Sequence, residues 1–520
     1  MPGRTGSRRS FLRAGGALVG YTAVVLLSTA CGGAGASVAA TTSAAGSPAS
    51  ASAASASSPA TSTVATPVAS ATTVGVSTGS GSATPAGASL AASTSSSVAA
   101  SSVAPASAPP GSAKALLYWD WWDPNQNPTF AAWFKYVRSA WGEQHPDVAL
   151  TIQTIPSAKV DDYPNKFIAA VAANDTPDVM HTSVAYARDF WDAGTLQDIS
   201  SMLAQTPAIA PDQFLPASAF YNQAAGKIYG APVEGPSGYS IAYNVAHFQE
   251  IGLDPSWEAT SAWSWETFAG NASRLVQKNG GDVGRVGYLT GAPSLETFCQ
   301  WLYTQGGAFF APDLKSVQFA QPNGAAALQF LLDLVDRYTT SGPIPQGSTS
   351  QQFFYQGHIA MLPMGLYLIN NVHQQAPDLK WDLMPFPKGP NGKGPATDIF
   401  VNMDTMPQES KHKDLAWQWM TFYSGPAVQA QRAAVASLPS PRRDVYDSPQ
   451  WKAAVASIPQ NQRVTQIAQL PAVGPYPFFR LPQLTKVWTP IIAETFDHKT
   501  PPAQALDQAA QQMNAILQSK

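Results

Sequence analysis

The chain has 520 residues, of which 45% are hydrophobic, and its formal net charge at pH 7 is −3. The first thirty residues contain four arginines and no acid, so the rest of the chain has a formal net charge of −7. An acidic chain argues against a nucleic-acid partner, which requires a basic surface. The length exceeds what a single hydrophobic core usually organises.

Residues 1–30 have the pattern of an export signal. The arginines precede a short apolar run from Ala17 to Ala30. This run is shorter than the roughly 20 residues of a membrane-spanning helix, which predicts that the segment is cleaved. The stretch from Ser7 to Arg13 resembles the twin-arginine export motif. The sequence therefore predicts a protein that is exported in its folded state.

The residues before Cys31 resemble a lipobox, in which a cysteine after small residues is lipidated and becomes the new N-terminus. Ser28 stands where the motif usually has leucine, and Leu27 lies one place too early. The alternative is an ordinary cleavage site beside an incidental cysteine. We expect lipidation of Cys31 and anchoring to the outer face of the bacterial cell membrane. The other cysteine, Cys299, is expected to be a buried and unreactive thiol.

Residues 31–113 are expected to connect this anchor to the rest of the chain. From Gly32 to Ala113 the sequence contains only Ser, Ala, Thr, Gly, Pro and Val, apart from Leu90. Such a composition buries too little apolar surface to offset the entropy lost on ordering, so a disordered tether is predicted. The alternative is a neutral spacer with no further role.

The folded region is expected to run from Lys114 to Lys520, where the aromatic residues are concentrated. The apolar stretch from Ala115 to Trp119 predicts a strand. Asn127 and Pro128 are typical of the start of a helix. Apolar side chains then recur at spacings of three and four, as on one face of a helix: Phe130, Trp133, Phe134, Val137 and Trp141.

The alternation of strand and helix continues along the chain. Val148 to Ile152 predicts a second strand, Phe167 lies in a second helix, and Asp178 to Met180 predicts a third strand. This βαβαβ order indicates a mainly parallel sheet with ligand chemistry at the carboxyl ends of its strands. Apolar spacing indicates three later helices, at Leu328–Val335, Leu415–Tyr423 and Leu506–Leu517.

A series of short segments follows in one order along residues 114–520: Phe167–Met180, Gly194–Ile199, Gly226–Glu234, Ala242–Asn244, Phe248–Pro255, Ser264–Phe268, Phe354–Met361, Lys413–Trp419 and Leu438–Asp444. Each segment alone is a weak signal. Together, their order and spacing resemble the extracellular solute-binding proteins of ABC importers, in the sugar-binding group.

This resemblance implies an α/β protein with a two-lobed, type II periplasmic-binding-protein-like fold. About three crossover segments join the lobes and form the hinge on which the lobes close around the ligand. Lobe 1 is expected at residues 114–233 and 398–435, and lobe 2 at residues 238–394 and 441–520. The crossovers are expected near residues 233–238, 394–398 and 435–441. The Gly and Pro residues in or beside these segments agree with this, since hinges need backbone freedom and defined turns. The implied function is capture of a carbohydrate by a monomer and its delivery to an ABC permease.

A neutral sugar is recognised by aromatic rings that stack on its apolar faces and by polar groups that bond to its hydroxyls. Residues of both kinds follow the first strand, where Tyr118 to Asp123 reads Tyr-Trp-Asp-Trp-Trp-Asp. Strand alternation places Trp119 in the core. It predicts Trp121 or Trp122 as an exposed stacking ring, with Asp123 beside them. Plain packing is the alternative.

Further ligand contacts are implied by the resemblance alone. Trp488 matches the place where a maltose-binding member presents a stacking tryptophan, and Tyr367 lies near another aromatic position of the family. The flanks of the crossovers and the Cys299 segment supply the other candidates: Glu234, Tyr239, Asp398, Arg443 and Glu296. The alternative for these polar residues is a cap, an ion pair between lobes or a solvated side chain. For Trp488 it is packing on a helix face.

The sequence contains no HExxH or CxxC motif, and its histidines are scattered. We therefore expect neither an enzyme nor a bound metal or cofactor. Two alternatives stay open. Asp120 and Asp123 resemble the paired carboxylates of a glycosidase, and a surface lipoprotein that only binds or senses carbohydrate would need no importer. Thr182, Ala185 and Tyr186 replace a tryptophan and two charged residues of the maltose-binding member, which argues against maltose itself.

We expect Cys31→Ser to release the protein from the membrane, because no lipid can then be attached to the N-terminus. The measurement is the partition of the protein between the membrane pellet and the culture medium. Ligand affinity should not change, since a lipid on the tether does not reach the ligand cleft. Unchanged retention in the membrane pellet would contradict the lipidation.

Overall fold

The computed structural model describes most of the region after the expected tether: residues 114–125, 128–155, 162–215, 222–279, 282–338, 349–436, 438–470, 472–474 and 478–519. The export signal, Cys31, the tether and Asn127 lie outside the described residues. Within the described part of the chain, no helix combines the length and apolarity needed to cross a membrane.

The described residues form a mixed α/β structure. Its strands are β1 (Lys114–Asp120), β2 (Val148–Thr154), β3 (Val179–Thr182), β4 (Gln223–Ala224), β5 (Lys227–Ile228), β6 (Ala231–Ser237), β7 (Tyr239–Asn244), β8 (Gln277–Asn279), β9 (Asp282–Tyr288), β10 (Ile359–Gly365), β11 (Trp381–Met384), β12 (Ala396–Asp398), β13 (Phe400–Thr405) and β14 (Ala472–Gly474).

The helices cover the two larger sheets. They are α1 (Pro128–Gln144), α2 (Asp162–Ala173), α3 (Val184–Asp192), α4 (Ser200–Ala204), α5 (Val245–Glu250), α6 (Trp257–Thr260), α7 (Trp265–Leu275), α8 (Leu295–Thr304), α9 (Pro322–Asp336), α10 (Ser350–Tyr355), α11 (Ile369–Gln375), α12 (Lys413–Tyr423), α13 (Pro426–Ala436), α14 (Pro449–Ser457), α15 (Gln462–Ala468), α16 (Leu481–Phe496) and α17 (Pro502–Gln518).

Local sequence patterns account for these elements. Helix α1 begins at Pro128, and the five apolar residues predicted to share one face are all buried. The strands predicted around residues 115–119, 148–152 and 178–180 are β1, β2 and β3, and the later predicted helices are α9, α12 and α17. Helix α12 ends at Tyr423, just before Gly425 and Pro426. The predicted order of elements is confirmed.

The first large sheet has the strand order β2-β1-β3-β13-β6. Strands β2, β1 and β3 are parallel, as predicted. Strand β13 runs antiparallel to both β3 and β6. The reason is its connection: a single residue, Ile399, joins it to β12, so β13 enters the sheet at the edge where β3 ends. Its last residues, 403–405, pair with residues 180–182 of β3.

The second large sheet has the order β11-β7-β10-β9-β8. The chain passes into it at Gly238, between β6 of the first sheet and β7 of the second. It returns through β12, which pairs with β14, to β13. Helix α13 packs on both α1 and α14 and leads to a third passage after Ala436. These passages lie within the predicted crossover regions, and the lobe boundaries stay a prediction.

The passages touch one another through backbone atoms. Gly235 has a φ of +112°, and a Cβ added there would lie 2.5 Å from the carbonyl oxygen of Phe400. A Cβ at Gly238 would lie 2.1 Å from the carbonyl oxygen of Asp398. The N–H of Gly235 also donates to the carbonyl of Pro439 at 3.1 Å. Glycine is required at residues 235 and 238 because the neighbouring backbone leaves no room for a side chain.

The largest apolar core runs behind the second sheet and reaches the first. Cys299 is fully buried in it beside Phe298 and Trp301, and burial raises the pKa of its thiol. The prediction of a buried cysteine is confirmed. In a second core on the first sheet, Tyr118 packs against Trp419, with ring centroids 4.8 Å apart. These cores fix the strand ends from which the candidate site is built.

Candidate functional site

The carboxyl ends of β1 and β3 lie at one edge of the first sheet, where the last residues of β13 pair with both β3 and β6. Asp120 ends β1, and His181 lies opposite Asp404 in the pairing of β3 with β13. Glu234 lies opposite Asn402 in the pairing of β6 with β13. All five side chains are at least nine-tenths buried. This is the edge at which a parallel sheet positions ligand chemistry.

A buried cluster of charges occupies this edge, centred on Glu234. Oε2 of Glu234 accepts from Nη2 of Arg432 at 2.9 Å, and Nε2 of His181 lies 3.3 Å from the same oxygen. On the other side of the imidazole, Nδ1 of His181 lies 3.4 Å from Oδ1 of Asp404. The hydroxyl of Tyr118 donates to that oxygen at 3.0 Å. We call Asp120, His181, Glu234, Asp404 and Arg432 the charge cluster.

The cluster shifts the pKa values of its members. Burial alone would raise the pKa of Glu234, but Arg432 and His181 lower it to about 2. Burial alone would lower the pKa of His181, but Asp120, Asp404 and Glu234 raise it to about 9. Burial raises the pKa of Asp120 to about 6, against the opposing effect of His181. At neutral pH the cluster therefore contains an imidazolium and a carboxylate in contact.

Two tryptophans lie directly on the charge cluster. Trp121 is half-buried, and its ring centroid lies 4.1 Å from that of His181 in an edge arrangement. Trp122 is also half-buried, and its indole N–H donates to Oε2 of Glu234 at 3.3 Å. Phe130 stacks on Trp122 with ring centroids 4.3 Å apart. Trp119 is buried in the core, as predicted, so the two partly exposed rings are those predicted from strand alternation.

Aromatic side chains of the second sheet approach from the other side. Tyr239 begins β7 and lies opposite Gly365 of β10, and Tyr367 follows two residues later. Both tyrosines are half-buried. Tyr367 belongs to the same apolar cluster as Trp122 and Phe130. The structure therefore brings predicted aromatic residues of both sheets together at the crossovers.

Asp398 and Glu296 lie on the second-sheet side of the crossovers. Asp398 is buried, and its Oδ1 accepts from the backbone N–H of Tyr239 at 3.0 Å. Its Oδ2 accepts from Nε2 of Gln300 at 3.4 Å. Burial raises the pKa of Asp398 to about 7. Glu296 is buried one helical turn before Gln300. The carboxyl group of Asp398 connects the first and second crossovers.

Two predicted polar residues have local roles in this structure. Asp123 is half-buried, and its Oδ1 accepts from the backbone N–H of Asn125 at 2.8 Å, which forms a turn after β1. Arg443 is exposed, and its Nε donates to the carbonyl of Phe214 at 2.8 Å. The structure thus shows a turn residue and a surface contact, and ligand contact by these two residues stays a prediction.

Trp488 lies in the core of the second sheet's helices. It has no exposed surface, and its indole N–H donates to the carbonyl of Pro293 at 2.8 Å. Its ring lies 4.7 Å from that of Phe298 and 5.7 Å from that of Phe319. Packing on a helix face, the alternative named for this residue, is the arrangement in this structure. Ligand stacking on Trp488 would require this packing to open.

Sequence reasoning missed three members of the charge cluster, namely His181, Asp404 and Arg432. The available signal was a charged or titratable residue inside an otherwise buried strand, as with His181 in β3 and Asp404 in β13. Such residues are rare in cores unless they are paired. Their partners are far apart in sequence, so the pattern alone could not identify the pairs. Within the described residues, no group of His, Cys, Asp and Glu side chains is placed to hold a metal ion.

The fold and the site together define an α/β binding protein with aromatic rings where two sheets meet. The chain belongs to the bacterial extracellular solute-binding protein family, whose sequence model matches residues 123–430, more than half of the chain. This confirms the resemblance. The arabinooligosaccharide-binding protein of Bacillus subtilis (strain 168) is 22% identical over 294 residues, which are 55% of this chain and 64% of that relative. The match thus spans just under two thirds of the relative's length.

Solved structures agree with the fold. An ABC substrate-binding protein from Listeria monocytogenes in complex with cycloalternan has a TM-score of 0.66 at 21% identity, covering 78% of this chain and 100% of that one. The GacH receptor of Streptomyces glaucescens, solved unliganded and with acarbose, has a TM-score of 0.65 at 21% identity, covering 78% and 99%. The predicted two-lobed α/β fold class is confirmed.

The charge cluster predicts how stability depends on pH. His181 has a folded-state pKa of about 9, above its ordinary value of 6.5, so its stabilisation is complete below pH 6.5 and is lost as pH rises through 9. The integrated loss is on the order of 3 kcal/mol. We expect the unfolding free energy of the unchanged protein, measured in urea, to fall more between pH 6.5 and 9.5 than that of His181→Gln. Equal pH slopes in the two proteins would show that His181 is not charged in the fold.

Proposed function

We propose that this protein captures a carbohydrate outside the cytoplasm and delivers it to an ABC permease. The observation that carries the proposal is the set of half-buried aromatic rings from both sheets at the crossovers. Trp121 and Trp122 follow β1, and Tyr239 and Tyr367 come from the second sheet. Flat rings on both sides of a closing cleft suit the apolar faces of pyranose or furanose rings.

Polar groups around these rings support a sugar ligand. The indole N–H of Trp121 and the amide oxygen of Asn402 are buried and have no hydrogen-bond partner among the described residues. Sugar hydroxyls both donate and accept, so a bound sugar would satisfy such groups. The relatives also bind carbohydrates: their names specify arabinooligosaccharide and cycloalternan. We propose an oligosaccharide as the class of ligand for this chain.

The ligand is proposed to be neutral. The two cations of the charge cluster, His181 and Arg432, both contact Glu234. Their charge is therefore compensated within the protein, and a phosphate or carboxylate on the sugar would gain little from them. A neutral oligosaccharide needs no further ionic partner.

Binding without cleavage is the role that the carboxylates favour. Asp120 is buried beneath the tryptophans and accepts from the backbone N–H of Trp122 at 2.9 Å. Asp123 serves a turn. Neither is arranged as the exposed acid and nucleophile that flank a glycosidic bond.

We also propose that the protein acts as a monomer anchored through lipidated Cys31.

The stacking role of Trp122 can be tested by Trp122→Ala. We expect this change to weaken binding by about 1–3 kcal/mol, or roughly 10- to 100-fold in Kd, through loss of a large aromatic contact. Calorimetric titration with arabino-oligosaccharides, malto-oligosaccharides and cycloalternan provides the measurement.

Trp417→Ala is the matched control, because Trp417 is also half-buried and its indole N–H is hydrogen-bonded, to Thr206. Its Kd should not change. Trp488→Ala should instead cost about 3–5 kcal/mol of folding stability, as for a core tryptophan. Equal loss of affinity in the Trp122 and Trp417 variants would contradict the proposed site, and cleavage of a bound sugar would contradict the binding role.

A further inference from the structure

We propose that Glu234 is a positioning residue of the carbohydrate site: its carboxylate fixes the plane of the Trp122 ring and ties that ring to the first crossover. Glu234 then acts on the sugar through Trp122, not by direct contact. This inference rests on the proposed function and deepens it, since it names the group that determines how the stacking surface is presented.

Trp122 is held at three points, two on its side chain and one on its backbone. Its indole N–H donates to Oε2 of Glu234 at 3.3 Å. Its backbone N–H donates to Oδ1 of Asp120 at 2.9 Å, which fixes the turn that follows β1. Phe130 covers one side of the ring, at an interplanar angle of 20°. The ring nevertheless stays half-exposed. A stacking surface with a fixed plane is the result.

Glu234 is itself immobilised by the crossover. Nη2 of Arg432 donates to its Oε2 at 2.9 Å, and Nη1 of Arg432 donates to the backbone carbonyl of the preceding residue, Val233, at 2.6 Å. The backbone N–H of the following residue, Gly235, donates to the carbonyl of Pro439 at 3.1 Å. The carboxylate therefore has a fixed position relative to the first and third passages between the sheets.

The contacts of Oε2 of Glu234 fit a positioning role. Oε2 of Glu234 already faces Arg432, His181 and the indole of Trp122. A sugar hydroxyl competing for this oxygen would have to displace a charged partner. By contrast, a ring held in its binding orientation loses little freedom when the sugar stacks on it, which improves affinity.

A double-mutant cycle tests the proposal in the full chain. The variants are Glu234→Gln, Trp122→Phe and both together, with Kd measured by calorimetry for the sugar of the panel that the unchanged protein binds. Phenylalanine keeps an aromatic face but has no N–H for Glu234. We expect Glu234→Gln to raise Kd about 3- to 10-fold, the effect of one net hydrogen bond. In the Trp122→Phe background it should change Kd less than about 2-fold.

Asp382→Asn is the control for loss of a partly buried carboxylate. Asp382 pairs with Arg463 at 2.6 Å on the outer strand of the second sheet. The Asp382→Asn substitution should leave Kd unchanged, both in the otherwise unchanged protein and in Trp122→Phe, even where it lowers the unfolding temperature. A Glu234→Gln effect that is the same with and without the Trp122 indole would overturn the proposal, because it would reflect general destabilisation or direct ligand contact.

A second measurement does not depend on the stability of the Glu234 variant. The indole N–H resonance of Trp122 is identified by its loss in Trp122→Phe, and its exchange with solvent is measured in the unchanged protein. We expect slow exchange, because this N–H donates to the carboxylate of Glu234. Fast exchange would overturn the positioning role while leaving sugar binding intact. Failure of the unchanged protein to bind any sugar would instead overturn the proposed function, and this inference with it.

Discussion

The ion pair between Glu234 and Arg432 is the interaction on which the candidate site depends. Both side chains are 2% exposed, and removing one partner of such a pair typically costs about 3–5 kcal/mol because the other charge stays buried. Glu234 lies within β6, just before the first crossover, and His181 of β3 contacts the same carboxylate. A buried charge at this position gives the crossover one geometry, which an apolar contact would define less sharply.

The topology of the first sheet explains why the charge cluster and the aromatic rings lie next to each other. Because β1 and β3 end at one edge, beside the last residues of β13, which also pair with β6, the charged side chains of these strands converge without long loops. The glycines at 235 and 238 let the passages approach to backbone contact. The same edge then faces Tyr239 and Tyr367 of the second sheet. Relative motion of the sheets would therefore change the spacing between the two sets of rings, as cleft closure requires.

Much of the fold could be predicted from the sequence because its signals are local. Apolar spacing identified α1, and the position of Trp119 within the first strand predicted its burial, with Trp121 or Trp122 as the exposed ring. The site could be predicted only in part. Tyr118 and Asp404 are 286 positions apart, and nothing in either strand specifies that pairing. Trp488 shows the opposite problem: its family position suggested a stacking ring, whereas its burial depends on Phe298 and Phe319, which lie on other segments.

The central claim is that sugar stacks on the tryptophans above the charge cluster. A crystal structure of the protein with a bound oligosaccharide tests it most directly. We expect a sugar ring parallel to the indole of Trp122 at van der Waals distance, about 4 Å, with Glu234 still bonded to the indole N–H and not to the sugar. A sugar bound elsewhere, or one whose hydroxyls displace Arg432 from Glu234, would contradict it.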